Sequence, residues 1–242
     1  LRQYSVGMPG LPARVAFVSM HTSPAAQPGT SDAGGMNVAL RSWASELAGH
    51  GVHVDVVTRA QGEPFERELE PGGILHELAA GPRGPILKGD LAAVTDDFGE
   101  AVAALARRSH ASFDLIHAHY WLSGIATLPV ALELRLPFVQ SFHTLAAMKN
   151  ALSASTTPAE PDRRVHSEAY LATQSSAVIA GSAAEATFLI DEVRASPDRV
   201  WVIPPGVDVD LFRPNRAEAD TRVRDLWAIA PGRPILVVAG RV

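Results

Sequence analysis

The chain has 242 residues, 47% of them hydrophobic, enough for one large buried core or for one domain and part of a second. A net charge of −5 argues against a protein built to hold nucleic acid, and no apolar run reaches the ~18 residues that span a bilayer. The absence of cysteine excludes disulfides and thiol chemistry, and a cytoplasmic protein is the expected default. Leu1 to Pro12 lack an apolar signal-peptide core and read as a disordered leader. After it, apolar runs predict strands at Arg14–Met20, His53–Thr58, Ile74–Leu78, Asp114–His119, Pro137–His143, Ala177–Ser182 and Arg199–Ile203. Helical stretches fall between them at Gly35–His50, Leu91–His110, Leu122–Leu134, Pro161–Gln174 and Ala183–Val193. Several strands are near-continuous in Val, Ile and Phe rather than alternating, which suits a parallel sheet covered by helices on both faces. The class expected is α/β, a Rossmann-like doubly wound parallel sheet.

The loop between the first strand and the first helix carries most of the chemical information. It contains Gly29-Thr30-Ser31-Asp32-Ala33-Gly34-Gly35-Met36-Asn37, a glycine pair opening a helix. Glycines lack a Cβ and let a ligand approach the backbone, and a helix start carries partial positive charge that suits phosphate. The loop has neither the Gly-Lys-Ser/Thr ending of a nucleotide triphosphatase nor a tight G-x-G-x-x-G. No acidic residue closes the second strand, where Thr58-Arg59 stands, so a dinucleotide-dependent oxidoreductase is disfavoured. From His21 to Asn37 the loop is also long for a βα turn, which points to ligand contact.

Ligands of doubly wound sheets sit beyond the carboxyl ends of the strands. The residues there are His21, His119-Tyr120, His143-Thr144, Ser182 and Pro204-Pro205-Gly206. His117 and His119 are expected on opposite faces of their strand, so no metal site is predicted. Trp43 and Trp121 read as packing residues. Beyond Pro214 come a polar helical segment, Arg216–Ile229, and a fresh apolar strand, Ile235–Ala239. The domain layout expected is a leader over 1–12, a Rossmann-like domain over 13–208, a linker over 209–232 and the start of a second domain over 233–242.

From Arg14 to Val242 these motifs resemble the retaining family-4 glycosyltransferases of GT-B fold. The resemblance is carried by Val15–Met20 with His21-Thr22-Ser23-Pro24, by Gly34-Gly35-Met36-Asn37, and by Pro204-Pro205-Gly206-Val207-Asp208 with Phe212 and Pro214. Within the family, His117 to Gly124 and His143 to Asn150 are most similar to the actinobacterial branch of mycothiol biosynthesis. That branch transfers N-acetylglucosamine from UDP to inositol 3-phosphate. The resemblance implies that this chain is an acceptor-binding half, ending at the first strand of a donor-binding domain. It implies Gly34, Gly35 and Arg241 at the donor diphosphate, His143 and Gly35 at the reacting centre, and Asn37 on inositol hydroxyls. Lys88, Tyr120, Thr144 and Arg164 would grip the acceptor phosphate, their tips ringing one pocket that faces Gly34-Gly35. The only two lysines are Lys88 and Lys149, and a lysine point charge with an arginine fork suits phosphate. Arg164 is preferred to Arg163 because it stands four residues before Glu168, its expected ion-pair partner.

The implied substrates are a nucleotide sugar, UDP-sugar as donor, and a phosphorylated cyclitol or sugar. No cofactor or metal is required, no nucleic acid or membrane span is involved, and a homodimer is left open. The segment Gly81 to Lys88 departs from the family pattern, so transfer to fructose 6-phosphate, as in sucrose-phosphate synthases, is the alternative reading. A phosphate-sugar binding domain without chemistry is the alternative from another class.

Overall fold

In a computed structural model, the structure describes residues 10–27, 34–69, 73–108, 112–152, 159–214 and 217–237. Among them, one eight-stranded sheet organises residues up to Pro204. Its strands are β1 Arg14–Val18, β2 His53–Arg59, β3 Phe65–Glu68, β4 Ile74–Leu78, β5 Leu115–His119, β6 Phe138–Ser141, β7 Ala177–Ala180 and β8 Val200–Val202. Their order is β3-β4-β2-β1-β5-β6-β7-β8, parallel except for β3, which runs antiparallel to β4. The chain winds outward from β1 in both directions, so the crevice between the carboxyl ends of β1 and β5 is the place where a ligand can enter.

The helices are α1 Gly35–Gly49, α2 Thr95–Ala106, α3 Trp121–Leu134, α4 Ala146–Leu152, α5 Asp162–Gln174, α6 Ala183–Asp191 and α7 Ala217–Leu226. Alternation along β1 divides the core. Val15 and Phe17 pack with Leu40 and Ala44 of α1, whereas Ala16 and Val18 belong to the larger cluster with α2 and α3. At Gly124 an added Cβ would collide with Gln140 and Leu171, so glycine lets the start of α3 lie against β6 and α5. No described helix is long and apolar enough to cross a membrane.

The chain divides into two compact units, Leu1–Pro204 and Pro205–Val242. The second contains α7. Its expected strand at Ile235–Ala239 is not formed in residues 235–237, which have no ladder partner and leave Leu236 92% exposed. Residues 238–242, including Arg241, lie outside the described residues.

A buried charge cluster ties three adjacent strands together. Arg14 donates to both oxygens of the fully buried Asp55, from Nε at 2.6 Å and Nη2 at 2.8 Å. His76 Nε2 lies 2.5 Å from Asp55 Oδ1. Burial works to raise the Asp55 pKa, but the hydrogen bonds from His76 and Arg14 prevail and hold it below the usual value of 3.8.

Candidate active site

Beyond β1 the chain turns back on itself and is held by one amide. Asn37 Nδ2 donates to Thr22 Oγ1 at 3.1 Å and to the Ser23 carbonyl at 2.7 Å, and Asn37 Oδ1 accepts the Gly34 N–H at 3.1 Å. A buried amide must be satisfied, and this one is satisfied by the loop. Asn37 is fully buried, and those bonds occupy the side chain expected to meet inositol. At Gly34 and Gly35 a Cβ would meet nothing within 4 Å. Among the described residues, packing therefore does not require glycine at either position.

Tyr120 and His143 follow the ends of β5 and β6 in left-handed backbone, with φ of 73° and 60°. Non-glycine residues adopt that region at a cost of about 1–3 kcal/mol, and such positions cluster at functional sites. Tyr120 is pinned by its N–H to the Ser141 carbonyl at 2.8 Å. Its ring is the meeting point of the predicted phosphate grip: the Arg164 guanidinium lies 4.8 Å and Lys88 Nζ 5.1 Å from its centroid. His21 lies at 4.4 Å from the same ring. Burial pushes the Tyr120 hydroxyl pKa up, so it remains a neutral donor.

Arg164 joins the group through Thr144, donating from Nη2 to its carbonyl at 2.9 Å and to its hydroxyl at 3.0 Å. It is not the unpaired cation that a bare phosphate grip would hold. Nε donates to Glu168 Oε1 at 2.7 Å and Nη1 to Glu160 Oε2 at 2.8 Å, and Lys149 also pairs with Glu160. Burial would lower the Arg164 pKa, but Glu168, Tyr120 and Glu160 raise it above the usual value. Glu168 uses its other oxygen to accept the Ala146 N–H at the start of α4, at 2.7 Å. Burial pushes the Glu168 carboxyl up, and Arg164 and the Ala146 N–H offset that only in part. Arg163, one residue earlier, points elsewhere and reaches the Ala92 carbonyl at 3.4 Å. The four predicted residues therefore meet, from four segments of the chain. Lys88 and Thr144 are exposed, while Tyr120 and Arg164 are buried.

Other features escaped the sequence. Arg59, at the end of β2, donates to the carbonyls of Ala80 (2.9 Å), Gly84 (3.0 Å) and Pro82, and so shapes the turn that leads to Lys88. A cavity of about 340 Å³ opens beside His21 and Ile86, lined also by Thr58 and Glu77 at the ends of β2 and β4. Thr58 Oγ1 is buried there without a hydrogen-bond partner among the described residues.

The expectation for His117 and His119 is corrected. A period of two returns residues i and i+2 to the same face, and the two rings lie 4.1 Å apart. Trp43 of α1 stacks on His117 at 6.0 Å and on His143 at 6.3 Å. His119 Nδ1 is 3.0 Å from His143 Nε2, and His117 Nε2 is 2.9 Å from Ser141 Oγ. Burial keeps all three neutral, lowering His117 to about 3, His143 to about 4 and His119 well below 6.5. Among the described residues no group of three or more His, Cys, Asp or Glu side chains is placed to hold a metal ion.

The mostly parallel sheet and its helices define a fold shared with glycosyltransferases of GT-B architecture, and solved structures agree. The chain superposes on sucrose-phosphate synthase from Thermosynechococcus elongatus with a TM-score of 0.76 and 28% identity, covering 91% of this chain and 54% of that one. It superposes on Anabaena HepE, solved in complex with UDP-glucose, with a TM-score of 0.60 and 17% identity over 90% of this chain and 50% of that one, a likeness of fold alone. The glycosyltransferase family 4 profile matches residues 33–211, and the chain belongs to that family. It is 42% identical to D-inositol 3-phosphate glycosyltransferase of Thermobifida fusca over 235 residues, 96% of this chain and 53% of the relative. It is 45% identical to the enzyme of the same name from Stackebrandtia nassauensis over 208 residues, 84% of this chain and 47% of that one. The chain thus spans about half the length of these curated relatives.

Proposed function

We propose that this chain is the acceptor-binding half of a cytoplasmic retaining glycosyltransferase that moves N-acetylglucosamine from UDP to inositol 3-phosphate. The observation that carries the reading is the convergence of Lys88, Thr144 and Arg164 on the Tyr120 ring. Exposed Lys88 supplies a point charge, Thr144 a hydroxyl and Tyr120 a phenolic donor. Arg164 is held charged by its carboxylates and keeps one Nη1 hydrogen beyond its four bonds in place. The similarity to D-inositol 3-phosphate glycosyltransferases supports inositol phosphate as the acceptor. No described residue lies within 4 Å of a Cβ built at Gly34 or Gly35, which suits a donor diphosphate at the start of α1, with Arg241 assigned to the same diphosphate by family resemblance.

In the reaction proposed, the bond from the sugar C1 to the UDP oxygen breaks and the acceptor hydroxyl oxygen bonds to C1 from the same face. The hydroxyl proton passes to an oxygen of the departing diphosphate. Glu168 is not offered as a nucleophile, because Arg164 and the Ala146 N–H occupy its two oxygens. His143 stays neutral beside the transferred sugar, and the chain contributes orientation and charge stabilisation. No cofactor enters this scheme.

The superposition on sucrose-phosphate synthase supports a second reading, transfer to fructose 6-phosphate. Assays of the full-length protein with UDP-N-acetylglucosamine and UDP-glucose, against inositol 3-phosphate and fructose 6-phosphate, separate the two. Turnover with inositol 3-phosphate and not with fructose 6-phosphate is expected, and the converse rejects the first reading.

A further inference from the structure

Two neutral imidazoles joined nitrogen to nitrogen share a single hydrogen, so the tautomer of one ring dictates that of the other. His119 and His143 are such a pair, with Nδ1 to Nε2 at 3.0 Å. Two arrangements satisfy this contact. In the first, His119 donates from Nδ1, its own Nε2 is a bare lone pair, and His143 carries its hydrogen on Nδ1. In the second, His143 donates from Nε2, and His119 must carry an N–H on its own Nε2. That nitrogen is buried and has no hydrogen-bond partner among the described residues. Orphaned buried N–H donors are rarer than under-used acceptors, which favours the first arrangement.

His119 is enclosed by rings. It is fully buried, the His117 ring lies 4.1 Å away, Phe17 meets it edge-on at 5.2 Å, and Trp43 covers it at 5.7 Å. His143 is only partly buried and sits in left-handed backbone at the site. We infer that His119 is a positioning residue that donates Nδ1–H to His143 Nε2 and so makes His143 present Nδ1–H, a hydrogen-bond donor and not a base, at the reacting centre. The inference rests on the proposed placement of His143 beside the transferred sugar. It gives His143 one role, to donate to an oxygen of that sugar, and leaves the acceptor proton to the diphosphate.

The test is long-range proton–nitrogen correlation on the 242-residue chain with ring-labelled histidine, which reads each tautomer directly. His143 should carry its hydrogen on Nδ1 with Nε2 bare. In His119→Leu it should change to the Nε2–H form that prevails for free imidazole. In His119→Asn the amide N–H replaces the lost donor, and the Nδ1–H form should return. The signals of His117, bonded independently to Ser141, report in each variant that the strands are intact. A His143 that carries its hydrogen on Nε2 in the unsubstituted chain overturns the inference, whatever the variants do. So does an unchanged tautomer in His119→Leu. In the full-length protein, His119→Leu should lower kcat by about 10-fold, as loss of a supporting hydrogen bond does at other sites, leave the acceptor KM unchanged, and be rescued by His119→Asn. Absence of any transferase activity would reject the proposed function while the tautomer result still stands or falls by itself.

Discussion

Two buried arginine–carboxylate clusters in this molecule use the same chemistry to different ends. Within the sheet, Arg14 and His76 occupy both oxygens of Asp55, whose pKa is held below the usual 3.8, and His76 reaches on to Glu66 at 3.2 Å. At the carboxyl ends of the strands, Arg164, Glu168 and Glu160 form an open set that continues through Thr144 and Tyr120 to the exposed Lys88. There the Glu168 carboxyl is pushed up. The opposite shifts show which effect wins in each place. In the sheet, charge pairing exceeds the cost of burial at Asp55; beside the crevice, burial exceeds pairing at Glu168, while pairing holds Arg164 charged and the Glu160 carboxyl below its usual value.

The comparison can be broken first at the sheet. Asp55→Ala should lower stability by about 3–5 kcal/mol, the usual cost of stranding one partner of a buried pair. Thermal or urea unfolding measures it, and a loss below about 1 kcal/mol would deny the cluster its structural role. Arg164→Ala should cost less, on the order of 1–3 kcal/mol. Glu168 keeps the Ala146 N–H and can take up a proton, and Glu160 keeps Lys149. Equal losses in the two variants would erase the distinction between the sheet cluster and the crevice cluster.

Acid sharpens the contrast further. Asp55 has a depressed pKa, so its contribution is fully present above the unfolded value near 3.8 and is lost only as pH falls through its lower folded value. Glu168 has a raised pKa, so its contribution is largest below 4.5 and fades as pH rises through its folded value. The buried histidines titrate with the opposite consequence to a paired histidine. Unfolded chains take up protons from about 6.5 downward while native His143 and His117 wait until about 4 and 3. Their effect is therefore nil above about 6.5 and destabilising as pH falls toward 4. Denaturant midpoints measured from pH 7 to 4 should decline, and substituting His117 by a residue that does not titrate should flatten the decline.

The doubly wound sheet was legible because short strand-like stretches, apolar throughout at Val15–Val18 and rich in Val and Ile elsewhere, alternate with helical patterns. The strand β3 was not, since Phe65–Glu68 is short, charged and exposed throughout. Nor was α4, with only seven residues. The meeting of Lys88, Tyr120, Thr144 and Arg164 could be anticipated from family resemblance, but their partners could not. Glu160 lies within the Ser/Thr/Pro/Ala-rich stretch from Ala151 to Pro161, which carries no helix or strand pattern, and Arg59 acts through backbone carbonyls that leave no trace in side-chain pattern. Asn37 shows the same limit. A polar residue after a glycine pair reads equally as a ligand contact or as the staple of its own loop, and in the structure it is the staple. The histidine cluster was hidden by assigning His117 and His119 to opposite faces, although the strand period brings them together.

The account turns on whether the open cluster reads a phosphate. Calorimetric titration of the 242-residue chain and its Lys88→Ala variant, with inositol 3-phosphate and with inositol, tests this most directly. Lys88 is exposed, so its removal should change stability by no more than about 0.5 kcal/mol. It should weaken inositol 3-phosphate by about 1.5–3 kcal/mol, the range for hydrogen bonds to charged groups, and leave inositol unchanged. Equal losses for both ligands, or none for either, would contradict the assignment of Lys88 and its neighbours to the acceptor phosphate.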